Sequence, residues 1–394
     1  MKPRRILIYC PMPESGFAEH THYQASALER AGVDTLVLTS PGFLPNHRDK
    51  PYRVLPWLLP PFLTFRQRWM KALWFAFVTV ANELLFAFRI MFWCHRHVLI
   101  AGTSDTLALI WVWPHVLLRA LGVRYAANIH DPQRKRPPGR LLHGWHVRSS
   151  FFPIEFALVH EDFDAHQPDI PDSVRTLPVP YGCMGAEIMP GDGTELRRAL
   201  LDGHSERRIF LAFGYIADRK NLDVSIRALA GVPEAVLIVA GRVASKHDKP
   251  VAYYRALALE LGCADRVRID DRFIPDPSIP HYFGACDFVL LTYKSEFVSQ
   301  SGVLLLASQA RKPVLASSGP GPLTRTVARF DLGPVIPPDD IDSLRGAMRA
   351  LVAQGYSASG WDGFCAHMSW DRNVATLLQG FSSSEEMPGR AQAS

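Results

Sequence analysis

Residues 208–241 read RIFLAFGYIADRKNLDVSIRALAGVPEAVLIVAG, and the punctuation of this stretch sets the class of fold. Ile209–Phe213 is a continuous apolar run that stops at Gly214, as a strand covered on both faces does. A polar turn with Arg219, Lys220 and Asn221 follows, then a helical pattern from about Asp223 to Leu229, then a second apolar run, Val236–Ala240, closed by Gly241. Strand, helix and strand of this kind make a parallel pair joined by a right-handed crossover. Downstream the rhythm continues through a helix at Tyr253–Leu261, strands at Val267–Ile269 and Asp287–Leu291, a helix opened by Ser299-Gln300-Ser301-Gly302, and a strand at Pro313–Ala316. Upstream it recurs from the start of the chain, with strands predicted at Ile6–Cys10 and Val33–Thr39 around a helix ending before Gly32. Further strands are predicted at Val98–Ala101, Tyr125–Ile129, Ala157–His160 and Val174–Val179. The reading is α/β, with two doubly wound domains joined at a linker near Met189–Thr194.

Composition agrees with that size. At 394 residues the chain exceeds one compact core, and 48% hydrophobic against 21% charged residues describe a folded protein. The formal net charge of +5 is too small to indicate nucleic-acid binding but suits anionic phosphates or an anionic lipid surface. Six scattered cysteines without a CxxC pair read as buried reduced thiols, which points to a cytoplasmic chain. The basic, then apolar opening MKPRRILIYC is too short in its apolar part for a secretion signal and reads as a first buried strand.

Leu55–Trp113 breaks the rhythm. It begins with a proline-interrupted apolar run and continues into an aromatic helical segment, Trp69–Trp93. The uninterrupted apolar part, Ala72–Ala81, falls short of the roughly twenty residues that span a bilayer, so an amphipathic helix is expected, buried in the first domain or lying at a membrane interface. The segment Gln133–Arg148 is basic and reads as a loop that could meet an anionic membrane surface. Cys94-His95-Arg96-His97 lacks a second ligand cluster and reads as a basic helix end, and no metal site is expected.

In such sheets ligands lie beyond the carboxyl ends of the strands, so the loops just after strands are the candidate sites. Tyr293–Gly302 is one: Ser299 or Ser301 can cap the following helix, and Gly302 lets an anion approach its amide-rich N-terminus. Gly214–Asn221 is another, with Lys220 a compact cation for the charge developing on a departing phosphate. The two together point to a nucleoside diphosphate.

With those residues in view, Arg208–Pro337 resembles the nucleotide-sugar domain of family 4-like glycosyltransferases of the GT-B fold. The matching features are the Gly214 loop ending in Lys220-Asn221, Val239-Ala240-Gly241, Ala285-Cys286-Asp287 and Lys312-Pro313-Val314. Ser369-Trp370-Asp371 is similar to that family's terminal crossover helix, and Ser15-Gly16-Phe17 and Ile129-His130-Asp131 look like its first glycine loop and active-site histidine. Val298 and Leu306 stand where the family usually carries two glutamates, with Glu296 nearby. The resemblance implies two facing Rossmann-like domains, at 1–188 and 189–365, a crossover helix at 366–381 that packs back on the first, and a disordered tail at 382–394. It implies sugar transfer from a nucleoside-diphosphate sugar to a glycan or polyisoprenyl-linked saccharide, with retention and no metal cofactor, at the inner face of the cytoplasmic membrane.

His130 and Asp131 are then the catalytic candidates. Gly214, Arg219, Lys220, Gly241, Ile274, Glu296, Ser299, Ser301 and Gly302 fall on the donor side, and Gly16 and His20 on the acceptor side. A chain that binds nucleotide or glycan without transferring it is the alternative, favoured by the missing glutamates and opposed by Lys220. An epimerase would need acid and base carboxylates that the sequence does not display.

Overall fold

The computed structural model describes residues 3–13, 16–44, 50–61, 67–93, 95–130, 141–160, 170–182 and 193–383. The chain divides into two compact units, one formed by Met1–Gly182 with the segment that begins at Met368, the other by Cys183–His367.

The first unit contains β1 (Arg5–Cys10), α1 (Gly16–Arg30), β2 (Asp34–Thr39), β3 (Arg53–Leu55), α2 (Arg68–Trp93), β4 (His97–Ile100), α3 (Ala108–Ala120), β5 (Arg124–Ile129), α4 (Leu141–Ser150), β6 (Ile154–His160) and β7 (Arg175–Val179). Its strands are all parallel and lie in the order β3-β2-β1-β4-β5-β6-β7. Residues of alternate parity, Leu7 and Tyr9, Leu36 and Leu38, Val98 and Tyr125, share one core with Phe86 and Ile90 of α2 and Leu118 of α3.

The second unit contains α5 (Thr194–Leu201), β8 (Arg208–Phe213), α6 (Leu222–Ala230), β9 (Ala235–Ala240), α7 (Val251–Glu260), β10 (Val267–Asp270), α8 (Ile279–Ala285), β11 (Phe288–Thr292), α9 (Gly302–Gln309), β12 (Val314–Ser317), α10 (Pro322–Arg329), α11 (Ile341–Gln354) and α12 (Trp361–His367). Its five parallel strands run β10-β9-β8-β11-β12 over a core that joins Phe210, Ile226, Leu237, Leu257, Phe288 and Met348. Both sheets therefore reverse winding direction once, at β1/β4 and at β8/β11, as doubly wound sheets do.

The last helix, α13 (Trp370–Ser383), belongs to the first unit, where it packs on α1 and β7. It starts four residues inside the range expected for the crossover helix, 366–381, and runs on through Ser382 and Ser383, which were expected in the tail; the rest of the expected tail lies outside the described residues. A buried polar layer seats it: Asn373 Nδ2 donates to the Pro180 carbonyl at 2.8 Å, and Gln24 Nε2 donates to Asn373 Oδ1 at 2.8 Å. Asn128 Nδ2 donates to Gln24 Oε1 at 2.8 Å and so extends the layer to β5.

Three expectations need correction. Part of the basic segment read as a loop is helical, α4, with Val147 buried and His143 and His146 partly so; residues 131–140 lie outside the described residues. The stretch just before the proline-rich run, where no strand was expected, holds the short edge strand β3, paired to β2. Finally, α2 has 26 residues and, by length and composition alone, is long and apolar enough to cross a bilayer. One of its faces, with Val78, Asn82, Glu83, Phe86 and Ile90, is buried in the unit, and the outward face is apolar as well. Trp69, Leu73, Phe77, Phe88 and Phe92 are exposed there, so the helix is apolar on two sides rather than amphipathic.

Candidate functional site

The two loops singled out in the second half leave β8 and β11, the neighbouring strands at the reversal point of their sheet. Gly214 ends β8 at φ +86°, a left-handed turn that a side chain disfavours. A Cβ placed on it would lie 3.2 Å from Nζ of Lys220 and 3.9 Å from Cγ2 of Val303, in the first turn of α9. The lysine and the helix start thus close on one point of the unit. Lys220 donates to the Phe213 carbonyl, and burial, with the charge of Arg219 second, brings its ammonium down to about 7.

The helix start is built for an acceptor of hydrogen bonds. Ser301 is buried, its Oγ accepts from the Val303 N–H at 3.3 Å, and it lies 2.8 Å from the buried Tyr293 hydroxyl. Around Gly302 a Cβ would meet nothing within 4 Å, which leaves space over the first turn. Ser299 is half-buried in the preceding loop, and Glu296 is exposed there.

Hydrogen bonds tie the two loops together. The Lys294 N–H donates to the Arg219 carbonyl at 2.9 Å, and Thr292 Oγ1 donates to the Lys220 carbonyl at 3.3 Å. Asp339 accepts from Asn221 Nδ2 at 2.8 Å and from the Ser295 N–H at 3.0 Å, clamping both. Arg219 itself is exposed. Gly241 touches the Gly214 turn from behind, where a Cβ would come within 2.1 Å of the Gly214 carbonyl oxygen. Ile274 is buried in the loop after β10, at the sheet edge two strands from β8, so it starts about 10 Å from the Gly214 turn. Tyr293, Asn221 and Asp339 escaped the sequence reading. Asn221 was visible only as the residue after the lysine, and Asp339 lies 118 residues away from it.

In the first unit, three imidazoles meet where α1, β5 and β6 come together. His130 follows β5; its Nδ1 lies 3.1 Å from Nε2 of His160, and its Nε2 lies 3.1 Å from the Ala101 carbonyl oxygen. Both nitrogens of the expected catalytic histidine are therefore engaged within the unit. His20, on α1, packs edge-on to His130 and Trp370 at ring-centroid distances of 4.6 and 4.8 Å, and neither of its buried nitrogens has a hydrogen-bond partner. Nδ1 of His160 is likewise unpartnered. An unsatisfied buried polar atom costs about 1–3 kcal/mol, so this arrangement calls for a physical reason. Burial holds His20 and His160 well below the ordinary imidazole range and pushes His130 down to about 4. All three are uncharged near neutrality. Asp131 lies outside the described residues. Gly16 opens α1 in open space, and the next residue, Phe17, packs edge-on to His130 at 4.9 Å.

Beside this cluster, at the β1/β4 reversal point, is a cavity of about 280 Å³ lined by Tyr9–Met12, Phe17, Ala101–Thr106 and the inner end of α2, including Phe75, Val78 and Glu83. Its walls are mainly apolar, with polar groups from α2 and from Thr103–Thr106, the usual character of a small-molecule site.

Residues 207–354 match the family model described as glycosyl transferases group 1. A D-inositol 3-phosphate glycosyltransferase of Acidothermus cellulolyticus is 29% identical over 223 residues, which are 53% of this chain and 47% of that protein. One from Mycobacterium marinum is 27% identical over 201 residues, 49% of this chain and 41% of that protein. The chain spans about half the length of the curated relatives it matches. Among solved structures, the fold is similar to the sucrose-phosphate synthase of Thermosynechococcus elongatus, with a TM-score of 0.69 and 17% identity over 98% of this chain and 100% of that one. It is also similar to Anabaena HepE in complex with UDP and glucose, with a TM-score of 0.65 and 16% identity over 97% and 99%. The unit that closes Lys220 and Ser301 on one point thus carries the signature of the glycosyl transferases group 1 family, and the chain has two Rossmann-like units that match GT-B glycosyltransferase structures in fold.

Proposed function

We propose that the chain transfers a sugar from a nucleoside-diphosphate sugar to a glycan or polyisoprenyl-linked saccharide, in polysaccharide or glycoconjugate biosynthesis. The observation that carries this reading is the approach of the Lys220 ammonium and the first turn of α9 to the same point beside Gly214. A diphosphate placed there meets a cation, a helix N-terminus and backbone that has no Cβ in the way. The charge that grows on the leaving phosphate as the glycosidic bond breaks is met by groups already in place, with no metal ion needed for that step. Arg219, Ser299 and Glu296 edge this site, Glu296 within reach of the ribose or sugar, and the proposed outcome is retention of the anomeric configuration. His130, with both ring nitrogens engaged, stands behind Phe17 and Ala101, which line the first unit's cavity, and that cavity takes the acceptor.

The surface of the same unit supports an apolar acceptor and a membrane location. Outward residues of α3, Ile110, Trp113 and Leu117, continue the apolar face of the neighbouring α2, and Trp145 of α4 extends it. Leu117 and Trp145 are each 62% exposed. A continuous apolar surface of this kind suits a peripheral position on a cytoplasmic membrane, where a lipid-linked acceptor would enter the cavity lined by α2.

The test is a panel of nucleotide sugars screened first by thermal shift and then for release of nucleoside diphosphate with and without lipid-linked saccharide. Acceptor-dependent release, with product stereochemistry read by NMR, supports transfer. Binding without release under any acceptor would replace the reading with that of a non-catalytic partner protein.

A further inference from the structure

We infer that His20, His130 and His160 form a binding site for one transition-metal ion, zinc by the chemistry of the ligands, that fastens α1 to the ends of β5 and β6. One ring nitrogen from each of the three lies within 4.8 Å of those from the others. Nδ1 of His130 and Nε2 of His160 stand 3.1 Å apart, close to the roughly 3.3 Å that separates two ligand nitrogens on a tetrahedral zinc with bonds of about 2.0–2.1 Å. Bringing His20 from within 4.8 Å to that spacing takes a side-chain movement of up to about 1.5 Å. The other nitrogen of His130 faces the Ala101 carbonyl, the kind of outer contact that fixes the tautomer and ring plane of a metal-bound imidazole.

A second observation points the same way. His20 is 1% exposed, sits among His130, His160, Tyr181 and Trp370, and has no hydrogen-bond partner on either nitrogen. A buried imidazole without a partner is costly, and an ion takes up its lone pair together with those of the other two. Uncharged nitrogen ligands without thiolate or carboxylate suit zinc, and cobalt(II) as its spectroscopic substitute, ahead of magnesium or calcium. Three protein ligands leave a fourth tetrahedral position for water. The Tyr181 ring, 4.2 Å from that of His160, closes one side of the cluster. The ion's place is structural: it stands behind Phe17 and Ala101, which line the first unit's cavity, and well away in sequence from the diphosphate groups. The inference does not depend on the transfer reaction.

The test uses the full-length chain, stripped with a chelator. Metal content is measured after dialysis against zinc, and cobalt(II) is titrated while visible absorption is followed. The expected result is one equivalent of either ion, tetrahedral d–d bands for cobalt, and X-ray absorption showing three imidazole ligands at about 2.0–2.1 Å. His20→Ala and His160→Ala should each weaken binding on the order of 100-fold or more, whereas His204→Ala, at an exposed histidine, should leave it unchanged. Binding of several weak equivalents that survives both substitutions would overturn the inference, as would the absence of tetrahedral bands. If the substituted chains fail to fold, the ligand count by X-ray absorption on the unaltered chain decides alone: fewer than three imidazoles refutes the site.

Discussion

Lys220 offers a quantitative handle on the donor site. Its ammonium is brought down to about 7 by burial first and by the neighbouring Arg219 second. Only the protonated form attracts a diphosphate, so binding must draw a proton onto any lysine that has lost it. With a pKa of about 7 the charged fraction falls from about 0.9 at pH 6 to about 0.1 at pH 8, and apparent affinity should fall about tenfold, or ~1.4 kcal/mol. A nucleotide sugar is the right probe, because its diphosphate carries no terminal monoester to titrate near pH 6. Isothermal calorimetry across this range, in buffers that differ in ionisation enthalpy, should show uptake of about half a proton per site at pH 7. Lys220→Arg keeps its charge at every pH and should give a level profile, while Lys220→Met should be weak throughout. An unaltered chain whose affinity stays level from pH 6 to 8 with no proton uptake would refute the assignment of Lys220 to the diphosphate.

Other parts of the structure are open to equally direct tests. Gly241→Ala places a Cβ 2.1 Å from the Gly214 carbonyl oxygen at a φ of +149°, and should cost about 2–4 kcal/mol in urea denaturation; an unchanged midpoint contradicts the close approach. Ser301→Ala removes the cap from the Val303 N–H and the partner of the buried Tyr293 hydroxyl, so stability should fall by about 1–3 kcal/mol and nucleotide-sugar affinity with it. Threonine at that position should restore most of both. Asn373→Ala breaks the bonds to Gln24 and to the Pro180 carbonyl, costing about 2–4 kcal/mol, and limited proteolysis should then cut within α13 sooner than in the parent. Changing Leu73, Phe77 and Leu117 together to serine should lower partitioning onto anionic vesicles about 100-fold, taking roughly 1 kcal/mol for each partly inserted side chain; equal partitioning of variant and parent would remove the apolar face from the account.

The second unit was legible because its strands are short, wholly apolar and punctuated. Gly214 and Gly241 mark the ends of β8 and β9 as plainly in the sequence as in three dimensions, and the Ser301 cap fixes the start of α9. Elements without such marks escaped. The helix α4, LLHGWHVRSS, has no strong apolar stripe, and α10 begins in a glycine-proline run that reads as a turn. The three-residue β3 owes its strand to pairing with β2, which no local pattern encodes. In the candidate sites the residue types were visible but their company was not. His160 reads as the last residue of a strand, and only the neighbouring positions of β5 and β6 in the sheet bring it to His130. The outward face of α2 shows the opposite limit. Its aromatic residues were conspicuous, but which of them face the core was settled by the packing of Phe86 and Ile90 against the sheet.

The placement of α13 has a consequence for biosynthesis. The chain leaves the first unit after Gly182 and returns at Met368, so a ribosome completes every strand of the seven-stranded sheet long before it makes the helix that packs on α1 and β7. Until then Gln24 lacks Asn373, and the Pro180 carbonyl waits for its donor. The second unit, one uninterrupted segment, can mature during that delay. The first is sealed only once the segment from Met368 has been made, which makes its early form a natural client for chaperones and leaves chains cut short before α13 with an open interior.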